Sequence, residues 1–85
     1  MGTMRVEISR LIVVDPEVCH GKPIFKGTRV MVSDILELLA SGEPIDRILK
    51  EYPSLTREMI LEALNYAAKV LKGEAHVRFF KVPAR

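Results

Sequence analysis

Apolar residues change their spacing along the chain, and each change marks a different kind of element. Ile8 and the run Leu11-Ile12-Val13-Val14 favour a strand. Asp15-Pro16 closes it, because proline lacks a donor and restricts the residue before it. Between Val18 and Arg29 the residues Gly21, Pro23 and Gly27 punctuate the pattern and predict an ordered loop with tight turns. Val30-Met31-Val32 reads as a second brief extended piece.

From Ser33 onward the period becomes helical. Ser33 is placed to cap a first helix, with Asp34 in its first turn and Ile35, Leu38 and Leu39 as its apolar stripe, joined by Leu36. Ser41-Gly42 ends it. Pro44 suits the start of a second, short helix whose inner face is Ile45, Ile48 and Leu49, and Tyr52-Pro53-Ser54 breaks that helix. Thr56 caps a third helix. Leu55 and Ile60 flank the cap as a hydrophobic staple, and Gly73 terminates the helix after Lys72. Two stripes run along this last helix. Ile60, Ala63, Leu64, Ala67 and Leu71 are the expected inward set, and Met59, Tyr66 and Val70 point partly elsewhere. One stripe closes a core, so the second leaves room for something else to pack there.

The expected architecture is therefore mainly α: one domain over residues 1–85, with an N-terminal strand and basic loop over 1–32, a three-helix core over 33–73 and a C-terminal arm over 74–85. A short helix, a four-residue break and a longer capped helix match the spacing of a helix-turn-helix. On that reading Ser54, Thr56, Arg57 and Asn65 are candidates to touch DNA, while Glu58 and Glu62 on the same helix repel phosphate. The same spacing serves any three-helix bundle, in which Thr56 and Arg57 are an ordinary cap and first-turn surface.

Charge changes this picture. The net charge is only +2, yet residues 33–72 carry five basic and seven acidic side chains, so the helical middle is acidic and both ends are basic. Attraction to phosphate must then come from the ends. With 48% hydrophobic residues the chain is a folded type whose apolar content is generous for 85 residues, which hints at an oligomer interface. Cys19 is the single cysteine, so no internal disulfide forms, as suits a reducing cytoplasm. The longest apolar run, Leu11 to Val14, is far short of a membrane span, and the first residues lack the pattern of a secretory signal. The expectation is a soluble, cytoplasmic protein.

Asp15-Pro16, Gly21-Lys22-Pro23 and Lys26-Gly27-Thr28-Arg29-Val30, followed by Leu38-Leu39-Ala40-Ser41-Gly42, Ile48, Tyr52-Pro53, Leu55-Thr56 and Ala63-Leu64-Tyr66-Ala67, closely resemble the pattern of domain-of-unknown-function family 433. The resemblance covers Val13 to Ala68, and the joint spacing of the Gly-Lys-Pro and Gly-Thr-Arg elements is its most specific part. Phe25-Lys26 stands where members more often carry an aliphatic residue and arginine, and the positive charge is retained. The resemblance implies a homeodomain-like, partly winged helix-turn-helix fold. It also implies an antitoxin-like role: neutralising a nuclease-like toxin of PIN-related fold encoded beside it, with repression of the shared operon.

Several residues invite sharper readings. Lys22, Lys26 and Arg29 lie close together on a glycine-bearing loop that suits phosphate. The rival reading is structural, with Gly21 and Gly27 at positive φ, Thr28 bonded to the backbone and Arg29 bracing a carboxylate or helix end. The spacing of a nucleotide-hydrolysing phosphate loop is missing. Asp15 reads as a turn former. Cys19-His20 has no third group to orient it, and Cys19, His20 and His76 fall short of a zinc ligand set, so neither catalysis nor a metal or other cofactor is expected. In the arm, Arg78, Phe79, Phe80 and Lys81 are the candidate toxin contact, or a strand folding back on Leu11 to Val14. Ile12, Val14, Met59, Tyr66 and Val70 are the candidate homodimer seam. A stand-alone DNA-binding regulator and a structural oligomer are the competing functions, and an enzyme is not expected.

Overall fold

The structure, a computed structural model, describes residues 5–74. Three short strands form an antiparallel meander: β1 (Val6–Glu7), β2 (Ile12–Val14) and β3 (Ile24–Phe25), in the order β1-β2-β3. Val6 and Glu7 pair with Val14 and Val13, and Ile12 and Val13 pair with Phe25 and Ile24. The strand expected over Leu11–Val14 is present, and it is central. Both its edges are taken by β1 and β3, so it offers no free edge to the arm or to a second chain.

β3 lies inside the stretch read as loop. A two-residue strand between Pro23 and Gly27 leaves too few positions for an alternation to register. The expected second extended piece shrinks to one bridge between Ile24 and Met31, because Val32 already begins a helix. The turn joining β3 to Met31 is held as its residue types predict. Gly27 sits at φ 80°, while the Thr28 hydroxyl donates to the Phe25 carbonyl (2.8 Å) and accepts from the Val30 amide (3.0 Å). Asp15 forms its turn by accepting from the Glu17 amide at 3.0 Å.

The helices are α1 (Val32–Ala40), α2 (Ile45–Glu51) and α3 (Arg57–Leu71). Ser33 is not the cap of α1. The helix starts two residues earlier, with Met31 at the cap position and no side-chain hydrogen bond. The Val32 amide is instead satisfied by the Pro23 carbonyl at 3.0 Å, so the loop takes over the work of a cap. Thr56 does cap α3, its side chain accepting from the Met59 amide at 3.1 Å. Leu55 and Ile60 close the staple, both buried. The two longer helices end alike. Gly42 and Gly73 take positive φ, and the amides of Glu43 and Glu74 reach back to the carbonyls of Leu38 and Lys69.

One core joins sheet and helices: Ile12, Phe25, Val32, Ile35, Ile48, Leu55, Ile60, Ala63 and Tyr66. The α2 face is as read from the sequence, with Ile48 fully buried and Ile45 and Leu49 packed beside it. The α3 face is not. Ile60, Ala63 and Tyr66 point inward with Met59 and Val70 against them, whereas Leu64 and Leu71, expected inside, are 42% and 88% exposed. Apolar residues occupy most of the circumference of α3, so spacing alone does not choose the inner side. The position of α1 and α2 does.

Candidate functional site

Burial first removes part of the expected dimer seam. Ile12 (0% exposed), Val14 (4%) and Tyr66 (8%) belong to the interior of the single chain. A side chain already enclosed by its own fold has no surface to give a second copy. Met59 and Val70 are half-buried and packed on the same core. The surface that α3 offers is a different row: Leu61 (51% exposed), Leu64, Ala68 and Leu71. Their spacing of three, four and three keeps them on one side of the helix.

The DNA-contact candidates all lie on the surface but not in one basic patch. Ser54, Thr56, Arg57 and Asn65 are exposed, around and after the N-terminus of α3. Arg57 forms an ion pair with Asp46 of α2. Lys26 pairs with Glu7 at 2.8 Å, and that contact holds the Glu7 carboxyl below its usual range. Lys22 and Arg29 are exposed, and among the described residues neither has an ion-pair partner. Their backbones meet at one turn: the Lys22 amide donates to the Cys19 carbonyl at 3.1 Å, and the Cys19 thiol donates to the Arg29 carbonyl at 3.4 Å.

That turn is where Cys19 and His20 reside, and it is no strand. Both take left-handed φ, 52° and 57°, ahead of Gly21 at 78°. Among the described residues no group of three metal-ligating side chains comes together, and His76 lies outside them. A shallow hollow on α2 is lined by Pro44, Asp46, Arg47, Lys50 and Glu51, charged groups of both signs with no single chemistry converging on it. The arm candidates Arg78, Phe79, Phe80 and Lys81 lie outside the described residues.

Arg10 is the residue the sequence reading missed. From the turn between β1 and β2 it reaches Glu58 in the first turn of α3 at 2.6 Å, a contact across 48 residues that no local pattern announces. The hydrogen bond to Glu58, and then the charges of Glu58 and Glu62, hold the Arg10 proton more firmly than usual. The Leu11 carbonyl beside it accepts from the Lys26 amide at 2.9 Å. Two hairpin turns and the N-terminus of α3 are thus gathered at one end of the molecule. The side chains Arg10, Arg57, Asp46, Glu58 and Glu62 leave that end slightly acidic, so α3 has no cationic front to present to a phosphate backbone.

These features define a small, mainly α helix-turn-helix protein carrying a three-stranded sheet at its N-terminal side. The chain belongs to the DUF433 family, described as a protein of unknown function, whose pattern matches residues 12–67. It is similar to the uncharacterized protein y4eO of Sinorhizobium fredii (strain NBRC 101917 / NGR234), with 37% identity over 68 residues. That match takes in 79% of this chain and 31% of the relative, so the chain spans about a third of that protein's length. No solved structure matches the chain. No described helix is long and apolar enough to cross a membrane.

Proposed function

We propose that this chain is a non-enzymatic, cytoplasmic, partner-binding helix-turn-helix protein of the antitoxin type, which neutralises a nuclease-like protein encoded beside it. The observation that carries the reading is that the chain is built to assemble, with an apolar row left on the surface of α3. Leu61, Leu64 and Leu71 stay exposed on a chain whose core is otherwise closed. Apolar side chains lined up on one helix face are the mark of a surface that is buried in an assembly. The resemblance noted at the sequence level adds the class of partner. In this reading the arm residues Arg78, Phe79, Phe80 and Lys81 contribute aromatic and arginine anchors to the toxin contact.

Contact with operator DNA is the second part of the proposal, with Lys22 and Arg29 as its phosphate-facing groups rather than the first turn of α3. Asp46 already holds Arg57, and Glu58 stands beside it. The decisive experiment co-expresses tagged chain with the product of the neighbouring gene. Copurification with suppressed nuclease activity is expected, and absence of both removes the reading. A footprint on the promoter tests the DNA part, with protection falling steeply as salt rises.

A further inference from the structure

The partner-binding reading leaves open what covers the α3 row, and we infer that it is a second copy of this chain, its α3 laid antiparallel against the first. Leu61, Leu64, Ala68 and Leu71 repeat at the a and d spacing of a two-helix seam, on the side of α3 turned away from Ile60, Ala63 and Tyr66. The direction follows from charge. Flanking the row on its solvent side, seven residues apart, stand Glu58, Asn65 and Lys72, each exposed. Glu62 and Lys69 repeat the sense of this gradient one position further round: acidic at the start of the helix, neutral at the middle, basic at the end.

A parallel neighbour would carry Glu58, Asn65 and Lys72 of the two copies to opposite flanks of the seam, so that no Glu58–Lys72 pair could form. An antiparallel one sets Glu58 of each copy against Lys72 of the other and Asn65 against its own counterpart, while Leu61 faces Leu71 and Leu64 faces Ala68. The contact is then two-fold symmetric and closes on itself. Arg10 and Arg57 offset part of the acidic end, but the carboxylates of Asp46, Glu58 and Glu62 outnumber the two guanidinium groups and leave it negative. Among the described residues neither Lys69 nor Lys72 has an ion-pair partner, so the basic end is open to one. A seam of four residues is short, so the dimer is a weak one, with a dissociation constant on the order of micromolar or above.

The test is sedimentation equilibrium of the full chain alone, at low salt, from low to high micromolar concentration. The expected species has twice the 9.6 kDa chain mass. Leu64→Glu weakens the dimer at least tenfold, and Lys72→Glu, which sets acid against acid on both sides of the seam, weakens it severalfold. Combining Lys72→Glu with Glu58→Lys restores opposite charges and returns most of the affinity, with circular dichroism showing that each variant is folded. A monomer at every concentration, a dimer indifferent to Leu64→Glu, or a charge swap that rescues nothing overturns the inference. Failure here is distinct from failure of the partner-binding reading. A chain monomeric by itself that still captures the neighbouring gene's product loses the second copy and keeps the partner, and a dimer that captures nothing does the reverse.

Discussion

Tyr66 brings its hydroxyl into the core, where among the described residues no donor or acceptor meets it. Burial pushes its pKa up, since the phenolate is the form the interior disfavours. A buried hydroxyl without a partner is a cost, and removing it costs little in packing. Tyr66→Phe should therefore leave the fold intact and hold stability level or raise it by up to about 1 kcal/mol in urea unfolding. A clear loss would mean that the hydroxyl has a partner after all. On the surface, Glu7 ionises below its ordinary range because Lys26 donates to it. The stabilising effect of that pair is present at neutral pH, above the unfolded-state pKa, and fades as pH falls through the lowered folded value. Lys26→Ala should move the Glu7 titration upward in an NMR pH series, and no movement would break the assignment. The turn-forming roles of Asp15, Gly27 and Thr28 were legible from residue type because Asp15 and Thr28 bond within three residues and Gly27 supplies a positive φ. The Arg10 contact with Glu58 was not, since it depends on how the sheet is laid over α3.

At the scale of the elements, the three helices, the α3 cap and both glycine stops could be read from spacing and residue chemistry, which act locally. What could not be read was the inner side of α3. Met59, Ile60, Leu61, Ala63, Leu64, Tyr66, Ala67, Ala68, Val70 and Leu71 leave few polar positions to mark an outside, and the packing of the rest of the chain decides. The start of α1 moved for a related reason: Pro23 supplies from a distance the acceptor that a capping serine supplies locally. Substitutions make the α3 assignment measurable. Ile60→Ala, in a fully buried position, should cost about 2–5 kcal/mol of unfolding free energy, and Thr56→Ala about 1 kcal/mol through the lost cap. Leu71→Ala should change stability by no more than about 0.5 kcal/mol at concentrations where the chain is monomeric. Equal costs at positions 60 and 71 would contradict the packing described.

Among the described residues, a sheet whose central strand has no free edge joins a three-helix core, and one apolar helix face stays uncovered. The family and the helix-turn-helix order were legible in the sequence because they rest on short patterns with fixed spacing. The exposed face of α3 was not, because an exposed leucine looks the same as a buried one until the fold exists. The gathered charges around Asp46, Arg57 and Glu58 leave the start of α3 without a cationic front, which fits the proposed protein partner better than a nucleic acid. The most direct measurement is therefore co-expression of this chain with its neighbouring gene product, followed by assay of the purified material for nuclease activity. A stable complex with that activity suppressed is the expected result. The two proteins purifying apart, with the nuclease fully active in the presence of this chain, would contradict it.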